Sequence, residues 1–320
     1  MNNCYLPEGY RIGTAENREY LSSPSSLERA MHEGKILEAT ALLCDSSMRL
    51  HVDLPGMRGI IERSEAIYCH RGEEIKDIAV ITRVGKPVCF KVLRIEMENG
   101  IPTAFLSRRE AQIECLHKFL FDCIPGDILP ARVTHLENFG AFVDIGCGIA
   151  SLLSVDCLSV SRISHPSDRL RVGDRLWTVI KSIDPTLGRI FVSMRELLGT
   201  WEENASGFEI GQTVAGVVRS IESYGVFVEL TPNLAGLAEL REGTRDRELC
   251  EVGQRVAVYI KNIIPDRMKI KLVLIDAYRG EKAPSEMKYF IDCEQVRHMD
   301  SWCYSTKMAT KRIETLFAKK

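Results

Sequence analysis

Residues 126–146 read GDILPARVTHLENFGAFVDIG, and residues 211–231 read GQTVAGVVRSIESYGVFVELT. The two align without a gap. Phe139-Gly140-x-Phe142-Val143 and Tyr224-Gly225-x-Phe227-Val228 stand 85 residues apart (224 − 139), and so do the leading Gly126 and Gly211 (211 − 126). Agreement over that length marks an internal repeat. Working outward, Val172-Gly173-Asp174 answers to Val252-Gly253-Gln254, and each precedes an alternating stretch, LWTVIKSID from Leu176 and VAVYIKNII from Val256. Both copies close on a further alternating segment, RIFVS from Arg189 and KIKLV from Lys269. Period-two alternation of β-branched and aromatic residues, bounded by glycine, proline and aspartate turns, predicts strands.

Three strands, a looser middle and two more strands within about 70 residues fit a small Greek-key barrel of the oligonucleotide-binding (OB) type. Glycine between aromatic strand positions lets such a barrel bend sharply. A fainter copy lies upstream. After Gly34 the chain reads KILEATALLCDSSMRLHVDLPGMRGII, with Val52-Asp53-Leu54 where Val143-Asp144-Ile145 stands. Val84-Gly85-Lys86 then precedes VCFKVLRI, and Phe105-Leu106-Ser107 matches the closing strand. Met48 and His51 replace the two rings there.

The fold class predicted is mainly all-β: three tandem five-stranded OB barrels joined by short α-helices. Ser107-x-x-Glu110 and Ser193-x-x-Glu196 read as capping boxes, each starting a helix straight after a barrel's last strand. The first helix should run to about Phe121, and the second, through ELLGTWEEN, to about Ser206. The N-terminal stretch reads as loop plus one short helix from near Ser25 and Glu28. The expected segments are an extension (1–32), a degenerate repeat (33–112), a helical linker (113–125), a repeat (126–198), a second helical linker (199–209), a repeat (210–276) and a C-terminal tail (277–320).

Over 320 residues, 42 Lys and Arg stand against 44 Asp and Glu, which excludes a basic, histone-like coat. No apolar run approaches the roughly 18 residues of a membrane span. The opening MNNCYLPEGYRIG lacks the basic start and apolar stretch of a secretory signal, so a cytoplasmic protein is expected. Eleven scattered cysteines with no CxxC pair fit reduced thiols rather than a disulfide framework. Cys293, His298 and Cys303 supply three potential ligands without a fourth, too few for a structural zinc site. Phosphate-binding glycine loops, HExxH and GxSxG are missing, so no reaction, cofactor or metal is expected.

The notable residues are the ring pairs Phe139 with Phe142 and Tyr224 with Phe227. On an outer face they form a platform on which bases stack, at roughly 1–3 kcal/mol per base. The other reading of the same residues is that they fill barrel cores.

NFGAFVDIG, the later VGD, the alternating strand and GRIFVS closely resemble the RNA-binding repeat of ribosomal protein S1. The whole order looks like a short three-repeat S1-like protein of the clostridial type. The resemblance implies an OB barrel for each copy. It also implies an RNA face made of two aromatics, a histidine after the third strand, an aspartate, and an arginine opening the last strand. The second copy keeps Phe139, Phe142, Asp184 and Arg189; its histidine position falls among Leu152, Leu153 and Ser154, and His165 in the next loop is a substitute or a cap. The third keeps Tyr224 and Phe227, with Glu239 at the histidine, Pro265 at the aspartate and Lys269 at the arginine. Arg132 and Lys181, with Arg219 and Lys261, would add phosphate contacts; ordinary solvated strand faces are the alternative for each.

The expected function is single-stranded RNA binding, of mRNA in translation, with the small ribosomal subunit as candidate partner and no membrane. Two other readings stay open: a non-ribosomal RNA-binding regulator, and a scaffold whose OB folds bind proteins. Each repeat is neutral by itself, with 12 basic and 12 acidic residues over 33–112, 8 and 8 over 126–198, and 9 and 9 over 210–276. Affinity should therefore depend on the four rings and only shallowly on salt.

Overall fold

In the computed structural model, which describes residues 5–69, 74–184, 188–239, 250–277 and 287–317, each repeat closes into a five-stranded barrel. The first consists of β1 (Leu37–Cys44), β2 (Leu50–Leu54), β3 (Met57–Ile61), β4 (Pro87–Glu98) and β5 (Ile101–Ser107). The second consists of β6 (Ile128–Glu137), β7 (Gly140–Asp144), β8 (Ala150–Ser154), β9 (Arg175–Asp184) and β10 (Arg189–Ser193). The third consists of β11 (Thr213–Glu222), β12 (Gly225–Thr231), β13 (Leu234–Glu239), β14 (Arg255–Ile264) and β15 (Lys269–Ala277).

In all three the fifth strand lies between the third, to which it is parallel, and the fourth, to which it is antiparallel; the fourth returns to the first. This is the OB arrangement the repeats predict, and closure leaves no sheet edge to protect. A one-residue slip between Ala41 and Leu43 of β1, and between Val218 and Ser220 of β11, marks a bulge that bends the first strand round the barrel. The alternation in sequence becomes alternation of burial. In β10, Ile190 and Val192 face the core while Arg189 and Phe191 face outward. Among the described residues no helix is long and apolar enough to cross a membrane.

The chain divides into two compact units: Met1–Cys123 with Pro130–Arg132 and Asp144–Ala150, and Ile124–Leu129 with Val133–Val143 and Ser151–Lys320. In the first unit, two N-terminal helices stand where the sequence predicts one. They are α1 (Ala15–Leu21), capped by Thr14, and α2 (Pro24–His32), capped by Ser23 with Pro24 in its first turn. The N-terminal segment is pinned by two buried acids. Glu38 accepts from the backbone N–H of Gly9, Arg11 and Ile12, and Glu8 takes a bidentate ion pair from Arg108 at 2.6 and 3.1 Å. The unit also holds a one-turn helix α3 (Asp77–Ile81) and α4 (Arg108–Cys115), which runs on as a π-helical turn over Leu116–Leu120. Ser107 caps α4, accepting from the N–H of Glu110 at 2.9 Å, while its own hydroxyl donates to Glu65; the Glu110 carboxylate, expected to complete a capping box, takes Arg109 at 3.3 Å.

The second linker differs from the expectation. Ser193 donates to the buried Glu196 side chain and starts no α-helix; a 3₁₀ turn over Arg195–Leu198 ends at Gly199. The helix is the short α5 (Trp201–Ala205), opened by a capping box of Thr200 and Glu203 that the sequence also contains. The tail is docked in this unit. Trp302 of β16 (Ser301–Cys303), which pairs with β17 (Glu314–Leu316), enters the core of the third barrel together with Tyr304. Tyr304 donates its hydroxyl to the Asn233 carbonyl at 2.5 Å.

Candidate nucleic-acid interface

The ring pairs lie outside the barrels. Phe139 is 54% exposed and Phe142 half-buried, whereas Ala141 and Val143 between and beyond them are fully buried. The intervening glycine makes this possible. A Cβ on Gly140 would sit 2.5 Å from the Leu153 carbonyl oxygen, so only glycine lets β7 lie this close to β8. Gly225 meets the Ala238 carbonyl in the same way at 2.7 Å. The rings contact edge to face, Phe139 with Phe142 at 6.1 Å and Tyr224, 59% exposed, with Phe227 at 6.2 Å. Of the two readings left open by the sequence, the core-filling one fails for both pairs.

In the second barrel, strand register sets Asp184 opposite Arg189, which is exposed. Lys181 is half-buried with its ammonium 3.1 Å from Cys157 Sγ and 4.0 Å from Asp156. Burial lowers its pKa, the sulfur and the carboxylate outweigh that, and the net shift is upward, so it stays cationic. In the third barrel Lys261 and Lys269 are exposed. Register pairs Lys269 with Ile264, so Ile264 and not Pro265 occupies the place of Asp184; Pro265 opens the following 3₁₀ turn. Glu239, at the expected histidine, forms an ion pair with Lys271 at 3.1 Å.

Three predicted residues are otherwise engaged. Arg219 lies at the bulge of β11, with its side chain only 8% exposed, and donates to Glu229 at 2.8 and 3.0 Å. The same carboxylate receives Arg169 at 2.6 and 2.9 Å. Burial raises the pKa of Glu229 and the two guanidiniums lower it further than that, leaving it below its ordinary value. Arg132 is half-buried and donates to the Glu8 carbonyl at 2.9 Å. His165 caps the 3₁₀ turn Pro166–Asp168, its Nδ1 accepting from the Ser167 N–H at 3.1 Å; the capping alternative holds. In the first barrel Met48 sits in a turn at φ 60°, and His51 is 3.1 Å from Asp45. No ring pair forms there.

One residue was missed. His135 on β6, its side chain 62% exposed, lies over Phe142 with ring centroids 6.5 Å apart and planes 27° from parallel. The signal was available: with a two-residue turn at Asn138-Phe139, counting back along the hairpin places His135 opposite Phe142.

Residues 123–195 and 207–274 match the S1 RNA binding domain family, covering the second and third barrels. The small ribosomal subunit protein bS1 of Staphylococcus aureus is 30% identical over 302 residues, 90% of this chain and 74% of that one. A bS1 homolog from Bacillus cereus is 28% identical over 249 residues, 75% of this chain and 63% of its own. Among solved structures, a multidomain protein with nucleic acid binding domains from Streptococcus pneumoniae is 15% identical, covers 76% of this chain and 73% of its own, and has a TM-score of 0.24.

Proposed function

This chain belongs to the family of the small ribosomal subunit protein bS1, and we propose that it holds single-stranded mRNA on the outer ring pairs of its second and third barrels. RNA binding in translation, with the small ribosomal subunit as partner, is the function this membership carries. The observation behind the site is the outward placement of four rings beside two obligatory glycines, in barrels that also expose Arg189, Lys261 and Lys269. Bases stack on such rings with little sequence preference, and the cations neutralise phosphates. Asp184 and Lys181 complete the second face. Arg132, Arg219 and His165 are left out of it because their side chains hold the fold. The chain is read as a binder that catalyses no reaction and, like the translation machinery it serves, works in the cytoplasm.

The test is binding of a fluorescent oligoribonucleotide to the full chain. Phe139→Ala/Phe142→Ala should weaken it by about 1–3 kcal/mol per base no longer stacked, with the melting curve unchanged. Affinity equal to wild type would remove the ring pairs from the site. Co-sedimentation with small subunits in a sucrose gradient checks the partner.

A further inference from the structure

We propose that the RNA track of the second barrel is wider than its ring pair and crosses four strands, from His135 through Phe142 and Leu152 to Phe191. This rests on the reading of that face as the RNA site. The track is visible in the registers. In the third barrel, pairing sets Ser220 opposite Phe227, Phe227 opposite Leu237, Leu237 opposite Lys271, and Lys271 opposite Asn262. These five residues form one line across all five strands. The 85-residue offset puts His135, Phe142 and Leu152 at the first three places in the second barrel. Its own pairing sets Leu152 opposite Phe191 and Phe191 opposite Ser182. The near-parallel contact of His135 with Phe142 is what cross-strand neighbours make.

None of these side chains belongs to the core. His135 and Ser182 are exposed and Phe142, Leu152 and Phe191 half-exposed, while the alternate residues Val143, Leu153, Ile190 and Val192 are buried. A half-exposed phenylalanine at position 191 is costly on a surface and useful on a stacking track. Its counterpart in the third barrel is Lys271, held by Glu239. The two lines therefore differ in kind. The second has three rings in line with Phe139 at its edge, His135 also reaching Glu137 at 2.8 Å; the third carries one ring and turns polar after Leu237. Three inter-strand steps span about 14 Å, longer than a single base lying flat, so the track has room for more than one nucleotide. Only an unpaired strand can lay successive base faces on such a surface. The ligand that fits is a single-stranded segment of several nucleotides, bound with little charge.

The experiment compares His135→Ser/Phe191→Leu with Phe139→Ala/Phe142→Ala in the full chain, using fluorescent oligoribonucleotides of two and of ten nucleotides. Serine is what the third barrel carries at the first place, and leucine keeps the apolar volume at the second, so folding is retained and checked by melting. The expected result for His135→Ser/Phe191→Leu is about a tenfold loss of affinity for the ten-mer. The dinucleotide should bind as before, and the slope of affinity against salt should not change. If the ring-pair variant loses binding and the His135/Phe191 variant binds the ten-mer like wild type, the wider track is overturned and the ring-pair site stands. If neither variant changes binding, the RNA site itself lies elsewhere and both readings fall. Equal losses for both probe lengths would show a disturbed ring pair rather than a longer track, and would also overturn the proposal.

Discussion

The second and third barrels follow one backbone path and put it to different uses. At the end of the second strand both carry a buried acid, Asp144 and Glu229, at equivalent places in the repeat. Asp144 accepts three backbone N–H groups, from Glu8, Gly146 and Gly148, and burial together with the charge of Glu8 pushes its carboxyl up to about 7. Glu229, one methylene longer, reaches Arg169 and Arg219, and its pKa falls. One site is a carboxyl solvated by backbone, the other a carboxylate locked between two guanidiniums. The outer faces diverge as well: the place of Phe191 in one barrel is held by Lys271, paired with Glu239, in the other. Duplication preserved the barrel topology while individual positions acquired separate tasks.

The sharpest way to break this comparison is Glu229→Ala. It removes the carboxylate shared by two buried guanidiniums, leaving Asp168 at 4.0 Å from Arg219, and should cost the second unit about 3–5 kcal/mol. Trp177, Trp201 and Trp302 all lie in that unit, so denaturant unfolding followed by tryptophan fluorescence reads it directly. Asp144→Asn weakens the bonds to backbone N–H and removes the attraction of Arg108, and should cost less, about 1–3 kcal/mol, in hydrogen exchange of the first unit. Equal costs would mean the two acids do the same job.

Acid titration separates them by sign. Because folding lowers the pKa of Glu229, its stabilisation is present above the unfolded value of about 4.3 and fades as pH drops through the folded one. Glu229→Gln should lack that acid-side loss. Asp144 runs the other way: the folded protein holds its proton longer, so its contribution is full below about 3.9 and declines as pH rises toward 7. Asp144→Asn should flatten the decline between those values, and an unchanged slope would show that Asp144 is ionised throughout.

The smallest effect is on the third face. Glu239→Gln frees Lys271 for phosphate and should tighten RNA binding a few-fold, with the log–log salt slope steeper by about 0.7. No change in slope would place Lys271 outside the phosphate path.

The barrels and the ring pairs were legible because both rest on local pattern: period-two alternation, a fixed offset, and a glycine between rings. What escaped has identifiable causes. Arg219 looked like an outward strand residue, but it lies at a bulge, where alternation loses its phase, and Arg169, which shares its partner Glu229, comes from a loop 50 residues away (219 − 169). Ser193-x-x-Glu196 had the spacing of a cap, yet its two side chains bond each other, and Thr200-x-x-Glu203 does the capping. The apolar residues of the tail follow no strand or helix period. Trp302 and Tyr304 count only after the third barrel exists to receive them.

That docking has a consequence for the order of synthesis. A growing chain makes β15 well before Trp302, so the third barrel emerges with part of its core still unwritten. At roughly 5–20 residues per second the gap of some 25 residues from Ala277 lasts a few seconds. During that interval the barrel is closed in topology and open in packing. A chain cut short after the last repeat would keep the barrel residues that Trp302 and Tyr304 cover exposed.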